Sequence, residues 1–277
     1  MNNFIVKKRP RGRPRSLPKE KNNVVQALDK GLITLLTLSK RGSSTLSDLS
    51  LALGMPASSV HRMLATLQKH GFVEFDEINQ NWAVGIEAFR VGSSYLVRTN
   101  LVEASHKIMR ELMQETEETA NLAIADGGDV VFISQVESRQ PIRAFFRPGT
   151  RGHIHASGIG KALLANMARK DVEEILQKTS LKEFTPKTLT SLSDLFEDLE
   201  IIKTRGYSFD DEERYSGMRC VAASIYNSFG EAIAGISVSG PSVRFDDDVV
   251  SQFGPKVVKA AKKVTKMIGG KMPDDLN

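Results

Sequence analysis

The sequence predicts an α+β protein in two parts: a small winged helix-turn-helix domain, then a larger domain with helices flanking a mostly antiparallel sheet. Three observations predict it. Residues 24–84 carry three short stretches of helical apolar spacing followed by a hairpin pattern; alternation switches to period two from Thr119; and the later strands are joined by tight turns instead of helical crossovers. At 277 residues, 40% hydrophobic and 26% charged, the chain has the composition of an ordinary globular protein and is long enough for at least one sizeable core. No apolar run approaches the roughly 18 to 20 residues that cross a bilayer, and the basic N-terminus lacks an apolar stretch and cleavage site, so a cytoplasmic protein without membrane contact is expected. The single cysteine, Cys220, excludes an internal disulfide and a multi-cysteine metal site; no metal and no cofactor is expected.

In the first domain Leu28, Leu32, Leu35, Leu36 and Leu38 lie at helical spacing in a segment that ends near Gly42. "TLSDLSLALG" reads as a second helix with Thr45 or Ser47 as cap and Gly54 as stop. A third runs from Pro56 toward Gly71, with Val60, Met63, Leu64 and Leu67 as its buried stripe. "FVEFDEINQNWAV" then gives two strands around a polar turn at Asn79 to Asn81. On the third helix Ser58, Ser59, His61 and Arg62 are left facing outward at the N-terminal end, followed by Thr66 and Lys69. That is the end which enters the major groove in a helix-turn-helix, where an arginine donates to guanine or to phosphate.

Charge supports the same partner. The first 23 residues hold eight basic side chains against Glu20 alone, a net of +7, which leaves the rest of the chain slightly acidic. Rich in proline and glycine, this arm is expected to be disordered when free. Its centre, "RGRPR", carries Arg11, Arg13 and Arg15 and resembles an AT-hook that lies in the A·T minor groove; a generic phosphate-binding tail is the other reading.

After Trp82 the chain reads mainly as helix to about Glu118, broken or bent around Gly92 to Ser94, as a linker helix over 85–98 into the second domain. "TANLAIAD", "DVVFISQVE" and "PIRAFFRPG" are expected as three strands, "CVAASIYN" and "AIAGISVSG" as two more about a turn at Phe229-Gly230. Helices are expected at 157–168, 172–178, 191–205 and 247–268.

"HASGIGKALLA" is the segment most suggestive of a ligand. A P-loop requires glycine at position 155 and a hydroxyl at 162, where His155 and Ala162 stand, so a nucleotide is not expected. Gly158 and Gly160 still let backbone N–H groups approach an anion at a helix start, and a small carboxylate suits such a site; a tight turn into a packed helix is the alternative. Cys220 is read as a small buried group, which does not exclude its lining a pocket; as a nucleophile it requires a base, with His153 and His155 the candidates. Ser237 and Ser239 lie at i and i+2, hence on one face of a strand, aimed at a cavity or at water. Of the run Asp210 to Glu213, Asp210 is expected to turn inward and the others to stay solvated. Asp246 to Asp248 read as a helix cap, and Lys256, Lys259, Lys263 and Lys266 as a solvated helix face.

Taken together, the arm, "SSVHRMLATL", "ETANLAI", "IRAFFRPGTRGHIHASGIGKALLA", "FTPKTL", "GYSFDDEERYSGMRCVAASIY" and "AGISVSGPSVR" resemble the IclR family of bacterial transcriptional regulators along essentially the whole chain. Within it the chain is most similar to the glyoxylate-responsive members of allantoin utilisation and of the β-hydroxyaspartate cycle. The resemblance implies a non-enzymatic regulator with a basic arm (1–23), a winged helix-turn-helix (24–84), the linker helix (85–98) and a GAF-like effector domain (99–277). It implies a small carboxylate effector, glyoxylate or a related 2-oxo acid, held around Gly152, Gly158 and Ile159 and by Asp210, Cys220, Ser237 and Ser239. It further implies a homodimer or a homotetramer built as a dimer of dimers, on a two-fold-related double-stranded DNA operator. Allantoin-type members carry Leu where Gly152 stands and Ala where Ile159 stands, which alters the pocket wall. Two rivals are a small-acyl enzyme using Cys220 and an architectural DNA-binding protein acting through its arm.

Overall fold

Glycine 42 ends the first helix, α1 (Gln26–Arg41), and its amide closes the last turn on the Leu38 carbonyl. The second helix, α2 (Leu46–Leu53), is capped by Thr45, whose hydroxyl accepts from the Asp48 amide, and stops at Gly54 in the left-handed conformation that glycine adopts without strain. Pro56 stands just before α3 (Ala57–Lys69), where its fixed φ suits the turn and its missing N–H costs nothing. Strands β1 (Ser43–Ser44), β2 (Val73–Asp76) and β3 (Asn81–Val84) form an antiparallel wing in the order β1-β3-β2. Leu38, Leu49, Val60, Leu64, Val73 and Trp82 make the core of this unit. The structure is a computed structural model that describes residues 24–99 and 101–273, without the side chains of 94–99. Its contacts divide the chain after residue 94 into two units.

Helix α4 (Ile86–Thr99) is not broken at Gly92 and Ser93; a glycine in a helix interior costs about 1 kcal/mol but does not force a break. Helix α5 (Leu101–Thr116) follows it in the chain.

The larger unit is a six-stranded sheet, antiparallel at every pairing, in the order β6-β5-β4-β9-β8-β7. The strands are β4 (Thr119–Asp126), β5 (Asp129–Val136), β6 (Arg151–His153), β7 (Ser208–Asp211), β8 (Met218–Tyr226) and β9 (Ala232–Pro241). On one face pack α5 and α9 (Asp247–Met267), around Met109, Leu122, Val221, Val238, Phe245 and Val257. On the other pack α6 (Gly158–Leu164), α7 (Arg169–Thr179) and α8 (Leu192–Arg205), around Ala123, Ile154, Ile159, Leu163 and Leu199.

Two expectations are corrected here. "PIRAFFRPG" is not a strand. Its Ile142 and Ala144 carbonyls are taken by the side chains of Arg244 and Thr119, and two prolines remove ladder donors, so the sheet edge is filled by β6 instead. The helix expected over 157–168 stops at Leu164, because the amides of Asn166 and Met167 bond back three residues and tighten the last turn.

Candidate functional site

Strand register assembles the site. Asp210 on β7 faces Cys220 on β8, and Cys220 faces Ser239 on β9, so the three form one row across adjacent strands. In the next row, two residues away on the same face, stand Ser208, Ala222, Ser237 and Asn121. β9 is a central strand, and Ser237 and Ser239 are buried, 1% and 2% exposed, which removes the alternative of serines facing water. Asn121 gives its amide nitrogen to both hydroxyl oxygens, at 3.4 and 3.2 Å, and is itself held by Gln135 at 3.0 Å. With an acceptor site on each oxygen filled, both hydroxyl hydrogens are left to donate along the row or into the space above it.

The segment from β6 to α6 lies across these rows. After the short 3-10 turn Ile154–Ala156, Ser157 caps α6 by accepting from the Gly160 amide, and the amides of Gly158 and Ile159 are left without an intrahelical partner. Ser208 ties the segment down by donating to the Gly158 carbonyl at 2.5 Å. The two glycines have different reasons. A Cβ on Gly158 would lie 2.8 Å from the Cys220 sulfur, so glycine brings the backbone onto the row; a Cβ on Gly160 would lie 1.9 Å from the Ile154 carbonyl oxygen, a packing requirement with no ligand in it. The Ile159 side chain seats against Gly235 of β9, where a Cβ would come within 2.6 Å of it. At Gly152 a Cβ would meet Val130 and Phe132 at 3.5 and 3.9 Å, ordinary contacts, so glycine there keeps one wall of the site open without being demanded by packing.

Gly152, Gly158, Ile159, Asp210, Cys220, Ser237 and Ser239 thus line one cavity of about 40 Å³. That space holds roughly three waters, the bulk of a two- or three-carbon acid. Phe132 and Phe146, stacked with centroids 4.5 Å apart, form an apolar wall, and Tyr215 stands at the rim.

Beneath the row lies a buried charge cluster. Lys161, 1% exposed, donates to Asp198 and to the Phe209 carbonyl, each at 2.7 Å, and to Glu213 at 2.5 Å. Burial alone would push its ammonium down, but the facing carboxylates of Glu213 and Asp198 outweigh it and hold it above its usual value. Burial raises Glu213 to about 7 and Asp210 to about 6, against the pull of Lys161 in both cases. Glu213 was expected to be solvated; Lys161 draws it inside, and its amide donates to Asp210 at 2.9 Å.

The raised Asp210 fixes a sign. The folded chain holds this proton more tightly than the unfolded chain, whose Asp titrates near 3.8, so stability falls as pH rises from about 4 through 6 and the cost is complete above that. Asp210→Asn is therefore expected to stabilise the larger unit by about 2 kcal/mol at pH 8, with the gain gone near pH 4. Urea midpoints at the two pH values check it; an unchanged or lowered midpoint at pH 8 contradicts the assignment.

Burial pushes the Cys220 thiol up to about 12, so the sulfur is protonated at neutral pH. Neither histidine is bonded to it. The His155 ring bonds the Lys182 carbonyl at 3.0 Å, and the His153 ring lies against Phe184. Burial holds both imidazoles below their usual value.

In the smaller unit Val60 and Leu64 of α3 face inward. Ser58, His61, Arg62, Thr66 and Lys69 are exposed and Ser59 is half-buried. His61 is less free than its exposure suggests, since its ring meets Trp82 edge-on at 6.3 Å. Arg11, Arg13 and Arg15 lie outside the described residues.

A three-helix unit with a wing, followed by an antiparallel sheet that carries a small polar cavity, is a specific combination. Residues 27–77 match the IclR helix-turn-helix domain, and residues 93–266 match the bacterial transcriptional regulator IclR C-terminal domain. The chain belongs to the IclR family. It is 46% identical over 257 residues to the HTH-type transcriptional regulator BhcR of Paracoccus denitrificans, covering 93% of this chain and 92% of that one. It is 38% identical over 262 residues to the HTH-type transcriptional repressor AllR of Escherichia coli, covering 94% and 97%. The crystal structure of Thermotoga maritima IclR matches with a TM-score of 0.74 at 28% identity, over 89% of this chain and all of that one. As an IclR-family protein the chain is a DNA-binding transcriptional regulator with a C-terminal effector domain. Among the described residues no helix is long and apolar enough to cross a membrane.

Three residues of the site escaped the sequence reading. Asn121 stands at an inward position of the alternating "TANLAIAD", where a buried amide is itself a signal of a polar cavity. Lys161 stands where a P-loop has its phosphate-binding lysine, which masks its buried role, and Arg214, which lines the cavity, follows directly on the acidic run.

Proposed function

We propose that this regulator is a repressor whose C-terminal cavity binds a small 2-oxo acid, glyoxylate or a close relative, and that binding changes its affinity for operator DNA. The observation that carries the reading is the row of Asp210, Cys220 and Ser239, with Ser237 beside it, closed over by the Gly158–Ile159 backbone into a space of about 40 Å³. Hydroxyl donors from Ser237 and Ser239 suit an oxo oxygen, and the free amides suit a carboxylate. A protonated thiol without a histidine partner favours binding over acyl transfer, so the reading is of a sensor and not an enzyme. The effector class is the one implied by the resemblance of the sequence, and AllR is named a repressor.

Calorimetry of the full chain against glyoxylate, pyruvate and acetate tests it. Heat from the 2-oxo acids at one site per chain, with acetate at least tenfold weaker, is the expected result. No heat from any 2-oxo acid would end the sensing half of the proposal.

DNA is met by α3 with Ser58, Ser59, His61, Arg62 and Lys69, and by the arm through Arg11, Arg13 and Arg15. Arg62→Ala is expected to weaken operator binding by about 1–3 kcal/mol, roughly 5- to 150-fold, with a smaller loss on unrelated duplex if Arg62 reads a base. Gel shifts on both duplexes check it, and equal affinity to wild type on the operator rejects it. Deleting the arm should leave measurable affinity with a shallower salt dependence. For assembly, Leu28, Leu32 and Leu36 form an i, i+4, i+8 stripe on α1 that is 61%, 50% and 60% exposed. Such a stripe suits a second copy of the chain, and a homodimer or a dimer of dimers would place two α3 helices on a two-fold operator. Helix α4 is the covalent link through which the effector's preference for one arrangement would reach the DNA-binding unit.

A further inference from the structure

The serine side of the effector cavity has a hydrogen-bond direction, and two residues next to it in the sheet set that direction. Ser237 and Ser239 line the space. Asn121 on β4 stands directly opposite Ser237 on β9 and, on its other side, opposite Gln135 on β5. The Asn121 side chain has two orientations related by half a turn about its last bond: one offers amide N–H groups to the serines, the other offers the carbonyl oxygen. Gln135, half-buried, decides between them. Its Nε2 donates to Asn121 Oδ1 at 3.0 Å, which leaves Nδ2 toward Ser239 at 3.2 Å and Ser237 at 3.4 Å.

The consequence reaches the cavity through the serines. A hydroxyl that accepts from Asn121 cannot also donate to that nitrogen, so its hydrogen turns to another acceptor. Both hydroxyls reach the Cys220 sulfur, and a thiol sulfur accepts only weakly. A ligand's carbonyl oxygen is the better acceptor, whereas a ligand hydroxyl brings a hydrogen of its own and is less well matched. Asn121, Ser237 and Ser239 are 0%, 1% and 2% exposed, so water does not blur the direction.

We propose that Asn121, oriented by Gln135, is the positioning residue that makes this cavity prefer 2-oxo acids to the corresponding 2-hydroxy acids: it fixes Ser237 and Ser239 as donors toward the ligand's oxo oxygen. The assignment rests on the reading of this cavity as the 2-oxo acid site and adds the selectivity which that reading leaves open.

The test is calorimetry on the full chain at pH 8 with two pairs of acids, pyruvate with lactate and glyoxylate with glycolate. Wild type, Asn121→Asp and Gln135→Leu are compared, each first checked for a cooperative melting transition. A carboxylate at 121 accepts from the serines instead of donating to them, and loss of the Gln135 donor frees the Asn121 amide to turn over. Wild type is expected to bind an oxo acid at least about tenfold tighter than its hydroxy partner. Asn121→Asp is expected to cut that ratio at least about tenfold and Gln135→Leu about threefold. A ratio unchanged in every variant that folds would overturn the assignment, even if both acids of a pair weaken together, since a parallel loss marks a structural role. Equal uptake of oxo and hydroxy acids by wild type would overturn it too and leave small-acid sensing standing. If wild type takes up neither oxo acid, the sensing reading fails and this proposal fails with it.

Discussion

Lys161→Met is expected to destabilise the effector unit by about 3–5 kcal/mol at pH 8. Methionine nearly matches the volume of the lysine stem, so the loss is electrostatic and not a cavity effect. Without the ammonium, Glu213 and Asp198 lose their shared cation and the Phe209 carbonyl loses its donor, all in a region from which water is largely excluded. The pH dependence follows from the carboxyls. Glu213 and Asp210, raised by burial to about 7 and about 6, are both protonated at pH 5, where a missing cation matters less, so the cost should shrink as pH falls from 8 to 5. Denaturant unfolding at the two pH values measures it. A loss under about 1 kcal/mol at pH 8, or one that grows toward pH 5, would contradict the account of the cluster.

Gly158→Val is expected to lower effector affinity at least about 100-fold while leaving ligand-free operator binding near that of wild type. Its Cβ would meet the Cys220 sulfur at 2.8 Å and Ala222 at 3.5 Å, and its two methyl groups would occupy space that holds only roughly three waters. The helix-turn-helix core of Leu38, Leu49, Val60 and Leu64 belongs to the other unit, so the fold of the DNA-binding part should not feel the change. Calorimetry with glyoxylate and a ligand-free gel shift separate the two effects. Undiminished glyoxylate binding by the folded variant would place the ligand elsewhere.

Local chemistry made much of the fold legible. Thr45, Gly54, Ser191 and Asp246 stop or start helices by bonds that involve only neighbouring residues, and Gly127-Gly128 makes the tight turn that joins β4 to β5. What the sequence could not reveal depends on groups that are distant along the chain. The carbonyls of "PIRAFFRPG" are claimed by Thr119 and Arg244, which turns an extended stretch away from the sheet. Asp210, Cys220 and Ser239 become one row only once β7, β8 and β9 pair in a particular register; period-two spacing aligns Ser237 with Ser239 but says nothing about their neighbours. The "GK" of "HASGIGKALLA" hints at phosphate, and only burial shows the lysine turned away from the cavity to hold Glu213, with Gly160 serving the turn at Ile154.

The central claim is that the cavity ligand controls DNA binding, and operator titrations with and without saturating glyoxylate test it most directly when wild type and Gly158→Val are compared. The account predicts that glyoxylate shifts the wild-type operator midpoint by at least about fivefold, within the usual range of coupling between sites, and leaves that of Gly158→Val unmoved. An equal shift in both proteins, or none in a wild type that binds glyoxylate by calorimetry, would contradict it.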